Sequence, residues 1–218
     1  MSARILVIDC ATPSLSVALF EGEDCIAATH RELGRGHAEA LLPTIAALPD
    51  GGRCDHILVD VGPGSFTGVR VGLAAATALA FAWQVPVAGY GCLDLVAAMA
   101  RARLRPSGPF AVVMVGGHGE LFWARCPAAD DADRRAPIAV RSTPIDALAA
   151  MLDVPLIVGS GAHALVEAGM RAEAHPLLPD ARDLFLLPAE QRMRAARPEY
   201  GRGADARPMP VAVPAEGR

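Results

Sequence analysis

The residues best placed to do chemistry are Gly62-Pro63-Gly64-Ser65-Phe66-Thr67-Gly68-Val69-Arg70-Val71-Gly72. This stretch joins an apolar run, His56 to Val61, to the start of a long helical pattern. At a strand-to-helix junction, free backbone N–H groups and the helix dipole can hold an anion, so Gly62, Gly64 and Ser65 are candidate anion- or nucleotide-binding residues. The string is not a Walker A loop, which needs Gly-Lys-Ser/Thr. Its glycines follow G-x-G-x-x-x-G, one residue too long for a dinucleotide fingerprint. The competing reading is a tight turn with Ser65 or Thr67 as helix N-cap. Asp9, closing the run Ile5 to Asp9, is a second candidate, with a turn or cap at Ala11-Thr12-Pro13 as its alternative.

Metal chemistry finds no support. His30, His37, His56, His118, His163 and His175 stand apart, and no H-x-x-x-H or H-E-x-x-H occurs. A metallopeptidase would therefore lack the pair that activates water. The five cysteines (Cys10, Cys25, Cys54, Cys92, Cys126) contain no C-x-x-C, which fits neither a zinc ribbon nor a disulfide framework. A reducing cytoplasm is the expected location.

Composition narrows the classes further. The 218 residues are 52% hydrophobic and 20% charged, with formal net charge −4 and every basic residue an arginine. This is a globular chain and not one that grips nucleic acid alone, which would carry a basic excess. Residues 71 to 93 carry no formal charge, but Gln84, Pro86, Gly89 and Gly91 interrupt them. They read as a buried helix, a turn and a strand, not a membrane span.

The elements that position these residues follow from periodicity. Ile5 to Asp9, Ser14 to Leu19 and Cys25 to His30 read as strands, and His37 to Leu48 as a helix. His56 to Val61 is a buried strand, followed by a helix to Trp83, a strand near Pro86 to Ala88, and a helix from Leu93 to Leu104. That order predicts three antiparallel strands, then parallel strands joined by crossover helices, the ribonuclease H-like layout. Arg105 to Pro109 reads as a boundary. Beyond it Phe110 to Val115, Glu120 to Cys126 and Leu156 to Val158, with the Gly159-Ser160-Gly161 turn, suggest a reduced second copy. The expected organisation is a first lobe over 1–105, a smaller lobe over 106–197 and a Pro/Gly/Arg-rich tail over 198–218.

The helix after the glycine loop is apolar nearly all round, so it must be covered on more than one side. Gly68, Gly72, Ala76 and Ala80 form a smooth stripe that would let another backbone come close. Either the second lobe or another protein covers the remainder, and another protein is favoured. An arginine at Leu73 would then block pairing while sparing the fold.

Ile8-Asp9-Cys10-Ala11-Thr12 with Ser16-Val17-Ala18, the His37-Ala38-Glu39-x-Leu41-Leu42-Pro43 helix and above all Gly62 to Arg70 resemble the TsaB family of the actin-like ATPase superfamily. The resemblance covers about the first hundred residues. It implies a two-lobed α/β actin-like (ASKHA) fold of duplicated ribonuclease H-like units, the second reduced. It implies a non-catalytic subunit that pairs with a TsaD-type catalytic homologue through the helices of the first lobe. A TsaE-type ATPase completes that complex, which places threonylcarbamoyl on the tRNA adenosine beside the anticodon. The candidate partner face is Leu41, Leu42, Ile45, Phe66, Val69, Arg70, Leu73 and Thr77. ATP and a divalent metal would sit on the partner subunits, with no cofactor required here; tRNA would be met through the complex, and a homodimer could form in isolation.

Two departures from the resembled pattern stand out. The catalytic relatives hold metal with two histidines one helical turn apart, whereas His37 is followed at position 41 by Leu. Gly116-Gly117-His118-Gly119-Glu120 replaces an Asp-Ala-Arg-type motif before Gly-Glu, while Pro198-Glu199-Tyr200-Gly201-Arg202 resembles the family's Pro-x-Tyr-x-Arg close. In actin-like ATPases an Asp at the end of the first strand sits near metal-bound phosphates, and the glycine that usually follows is absent at Cys10-Ala11. The alternative is a free-standing actin-like ATPase or phosphotransferase.

Overall fold

The computed structural model describes residues 2–128 and 138–201. The first sheet holds β1 (Arg4–Asp9), β2 (Ser14–Glu21), β3 (Asp24–Glu32), β4 (His56–Asp60) and β5 (Val87–Tyr90), in the order β3-β2-β1-β4-β5. β1 pairs antiparallel with β2 and parallel with β4. Three helices accompany it: α1 (His37–Ala46), α2 (Phe66–Trp83) and α3 (Cys92–Leu104). The second sheet holds β6 (Phe110–Gly117), β7 (Glu120–Cys126), β8 (Arg141–Pro144), β9 (Leu156–Val158) and β10 (Glu173–His175), in the order β10-β9-β6-β7-β8. Here β6 takes the central place of β1, antiparallel to β7 and parallel to β9. The copy has all five strands. Its reduction lies in length: α4 (Ile145–Met151) and α5 (Ala162–Glu167) are barely two turns each.

Period-two alternation sends the residues of each central strand to opposite faces. Leu6 and Ile8 meet Leu41, Ile45, Val69 and Leu73 of α1 and α2, whereas Val7 faces the core of Leu95 and Met99 from α3. The other flank of α3, with Leu93, Val96, Ala97 and Ala100, packs on Phe110, Val112 and Met114 of β6. Ala111 and Val113 face Leu148 of α4 and Leu165 of α5. The layers therefore run α1/α2, first sheet, α3, second sheet, α4/α5. Lobe two covers α3. It does not cover α2.

The last described stretch returns to the first lobe. Ala181, Leu184 and Leu187 pack with Val7, Phe20 and Leu95, and Arg194 forms an antiparallel bridge with Gly89 at the edge strand β5. Residues 202–218 of the expected tail lie outside the described residues.

Candidate functional site

Two regions of the first lobe hold the candidate residues: the α1/α2 layer and the strand ends beneath the glycine loop. In α2 the small stripe faces inward. A Cβ on Gly68 would strike the carbonyl oxygen of Cys10, and one on Gly72 would meet Cys10, Val59 and Ile8. The stripe lets α2 lie close on β1, so it serves this chain and not a visiting backbone. Leu41, Ile45, Val69 and Leu73 are buried on the same inner side, Leu73 at 7% exposure. These four candidates are committed to the chain's own core. An arginine at position 73 would therefore attack the fold itself, contrary to the expectation from sequence.

The outer flank is different. Phe66, Arg70, Ala74, Thr77, Ala78 and Phe81 are exposed at helical spacing. Phe66 is 63% and Phe81 87% accessible, and α1, which packs beside α2, leaves Leu42 53% accessible. Of the eight candidate partner residues, Leu42, Phe66, Arg70 and Thr77 reach the surface. Phe81 belongs with them by exposure. Phe66 stacks on Tyr200 with centroids 5.6 Å apart, and the Arg70 guanidinium lies 3.1 Å from the Phe66 centroid and 4.9 Å from that of Tyr200. Such a cation–aromatic cluster is rigid for its size, as interface anchors are.

The glycine loop folds down on the end of β1. Ser65 donates its amide to the Ala11 carbonyl at 2.7 Å, and its hydroxyl accepts from the Gly68 amide at 3.2 Å, capping α2. Gly64 abuts the Ala11 carbonyl, where a Cβ would not fit, and Gly62 donates to Asp60 Oδ1 at 2.8 Å. The amides of Gly62, Ser65 and Gly68 are thus engaged within the chain. The Gly62–Pro63 bond is cis.

Below the loop, Asp9 and Asp60 end the parallel strands β1 and β4 at 0% and 1% exposure. Their carboxyls lie close enough for each to act on the other's charge. Asp9 Oδ1 and Asp60 Oδ2 find no hydrogen-bond partner, and Tyr90 donates to Asp9 Oδ2 at 3.0 Å. Burial, with the Asp60 charge beside it, raises the Asp9 carboxyl well above the carboxylate range. Burial also lifts Asp60 to about 7, against the pull of the Gly62 amide. Asp60 escaped the sequence reading, although Ile57-Leu58-Val59-Asp60 repeats the ending of Leu6-Val7-Ile8-Asp9.

The place above these carboxyls is filled by the chain. The Glu199 amide donates to the Val61 carbonyl at 2.8 Å, and a Cβ on Gly62 would come within 2.8 Å of the Glu199 carbonyl oxygen. A metal-bound nucleotide does not fit Asp9, Gly62, Gly64 and Ser65 as they are arranged. His37 Nε2 donates to the Ser14 carbonyl at 3.2 Å, and among the described residues no group of three His, Cys, Asp or Glu could hold a metal ion. The Gly116–Glu120 segment makes the β6–β7 turn, with His118 at φ +54°.

A family model described as TsaD, tRNA N6-adenosine threonylcarbamoyltransferase, matches residues 29–155, more than half of the chain. The chain belongs to the TsaD family. Within that family it is 36% identical over 132 residues to the tRNA threonylcarbamoyladenosine biosynthesis protein TsaB of Escherichia coli, across 56% of this chain and 54% of that protein. An uncharacterized protein of Mycobacterium leprae is 35% identical over 130 residues, across 56% of this chain and 34% of that one. The aligned part spans between about a third and three-fifths of these curated relatives. The crystal structure of a Pseudomonas aeruginosa protein similar to peptidase YEAZ superposes at TM-score 0.74 with 26% identity, covering 93% of this chain and all of that one. This TsaD-family chain therefore has the duplicated actin-like fold, related to both the TsaB/YeaZ and TsaD branches.

Proposed function

We propose that this TsaD-family chain is a non-catalytic subunit that binds and supports a TsaD-type catalytic homologue in forming threonylcarbamoyladenosine on tRNA. The observation that carries this reading is the outer flank of α2, where Phe66 and Phe81 stand in water beside Leu42 of α1. Burying a large apolar side chain contributes about 1.5–3 kcal/mol. Neither sheet nor second lobe supplies that cover, and a homologous partner with helices in the same layer would. The similarity to a TsaB protein supports the assignment to the accessory branch.

The sealed crevice supports the reading that the chemistry belongs to the partner. A free-standing ATPase would need an open site at Asp9 and Asp60, and both are enclosed. In this reading ATP, a divalent metal and a TsaE-type ATPase act elsewhere in a cytoplasmic complex, and tRNA is met through it. Co-expression with the catalytic homologue tests the reading. A stoichiometric complex on size exclusion is expected, together with tRNA modification that needs both chains. Separate elution with modification by the homologue alone would overturn it.

A further inference from the structure

We propose that the crevice between the lobes is a peptide-binding groove, occupied in cis by the chain's own residues Arg194 to Gly201, and that this strap is the ligand for which the crevice is built. In open α/β sheets the crevice beyond the carboxyl ends of the strands is where ligands sit. Here the strap takes that position at β4 and β5. Gly89 and Arg194 exchange backbone hydrogen bonds of 2.8 and 2.9 Å, adding the strap to the edge strand, and Glu199 donates to Val61. This is the main-chain pairing by which sheets capture extended peptides.

Side chains give the groove its selectivity. Arg194 bonds Asp94 of α3 at 2.5 Å and Glu199 within the strap at 2.9 Å, and its side chain is only 18% exposed. Asp94 also accepts from the Ile138 amide at 3.0 Å, so one carboxylate ties strap, interlobe helix and the second half of the chain. A truncated partner for a buried ion pair is costly, because the remaining charge stays desolvated.

Glycines at four places make room. A Cβ on Gly89 would strike Val61 Cγ1 and press on the Ala195 carbonyl oxygen at 3.1 Å, and one on Gly91 would strike Asp94 Oδ2 at 2.5 Å and Arg194 Nη1 at 2.7 Å. One on Gly62 would press on Glu199, and one on Gly201 would reach Phe122 of the second sheet at 2.5 Å and Pro63 at 3.0 Å. Gly89 and Gly91 lie at negative φ, where any residue is allowed, so the missing side chains answer to the close packing of Val61, Asp94 and the strap and not to a turn. The ligand class is an extended peptide bearing an arginine, five residues before a Glu-Tyr-Gly end.

Cysteine alkylation of the full-length isolated chain tests this without reference to any partner protein. Cys92 follows Gly91 of the crevice, its amide bonded to the Gly62 carbonyl, whereas Cys126 ends β7; both thiols are buried in the core between α3 and β6. Arg194→Glu should speed Cys92 alkylation at least tenfold and release the Gly89 and Glu199 amides to hydrogen exchange, while Cys126 keeps its wild-type rate. A synthetic peptide of residues 193–201, added at about 1 mM to compete with the tethered strap, should restore Cys92 protection in that variant. The same peptide carrying the Glu substitution should not. Unchanged Cys92 and Gly89 protection would overturn the proposal, as would Cys92 and Cys126 opening together, or no rescue by the native peptide. Loss of pairing with the catalytic homologue would bear on the proposed function alone.

Discussion

The helices α2 and α5 hold equivalent places in the two halves, each following the parallel strand beside the central one, yet they differ threefold in length. Both begin at glycine turns that pack on a central strand. Ser65 donates to the Ala11 carbonyl after β1, and Gly161 donates to that of Val113 in β6 at 2.9 Å. From there α5 runs six residues, enough to bury Ala162 and Leu165 against its sheet. α2 runs eighteen, buries Gly68, Val69, Gly72, Leu73, Ala76 and Ala80, and still presents Phe66 and Phe81 to water. The sheet accounts for most of the short helix, whose Val166 stays 39% exposed. It accounts for half of the long one, and the other half is surface made for something else.

The sharpest way to break that contrast is to confuse the two sides of α2. Leu73→Arg places an unpaired charge in the core and should cost about 3–5 kcal/mol, which lowers Tm by about 6–20 °C at 2–4 °C per kcal/mol. Thermal unfolding would show it, and a wild-type Tm would mean that the inner face is not core. On the outer face, Phe81→Asp should leave Tm within about 2 °C, since surface changes stay within about 0.5 kcal/mol. The same variant should weaken binding to the catalytic homologue by about 30-fold or more, the loss of one hot spot. Calorimetric titration measures that loss.

The carboxyl pair gives a pH-dependent effect of intermediate size. Asp60 is raised in the folded state to about 7 by burial, so folding holds the proton more tightly than the unfolded chain does. Stability is therefore fully present at low pH for this group and declines as pH rises from the ordinary carboxylate range toward 7. Asp60→Asn keeps an acceptor for the Gly62 amide and brings a donor beside the unpartnered Asp9 Oδ1. Denaturant unfolding should find it more stable than wild type at pH 8 by on the order of 1–3 kcal/mol, with that advantage shrinking toward pH 5. A constant difference would contradict the raised Asp60 carboxyl. The smallest effect belongs to the short helix: Val166→Asp, on the exposed side of α5, should change neither pairing nor stability by more than about 0.5 kcal/mol.

Much of this fold is readable from the chain because its central elements carry strong periods. Ile5 to Asp9 and the alternating Ser14 to Leu19 announce β1 and β2, and the uncharged run after Arg70 announces α2. β8 and β10 went unseen, since three or four polar residues at a sheet edge carry no period. The inner side of α2 was misread for a related reason. A helix apolar all round gives no direction, and the carbonyl of Cys10 that makes glycine necessary at position 68 comes from another strand. The strap is non-periodic, and only its Pro198-Glu199-Tyr200-Gly201 end stands out in the sequence, by resemblance. A further trace is glycine at Gly89 and Gly91, where no positive φ requires it.

Hydrogen exchange of this chain with and without its catalytic homologue tests the central claim directly. Stable interfaces slow exchange where they cover the chain. Added protection is expected along residues 66–83 and at the exposed side of α1, with no change over residues 145–167. Protection confined to the second lobe, or none in either, would contradict the account.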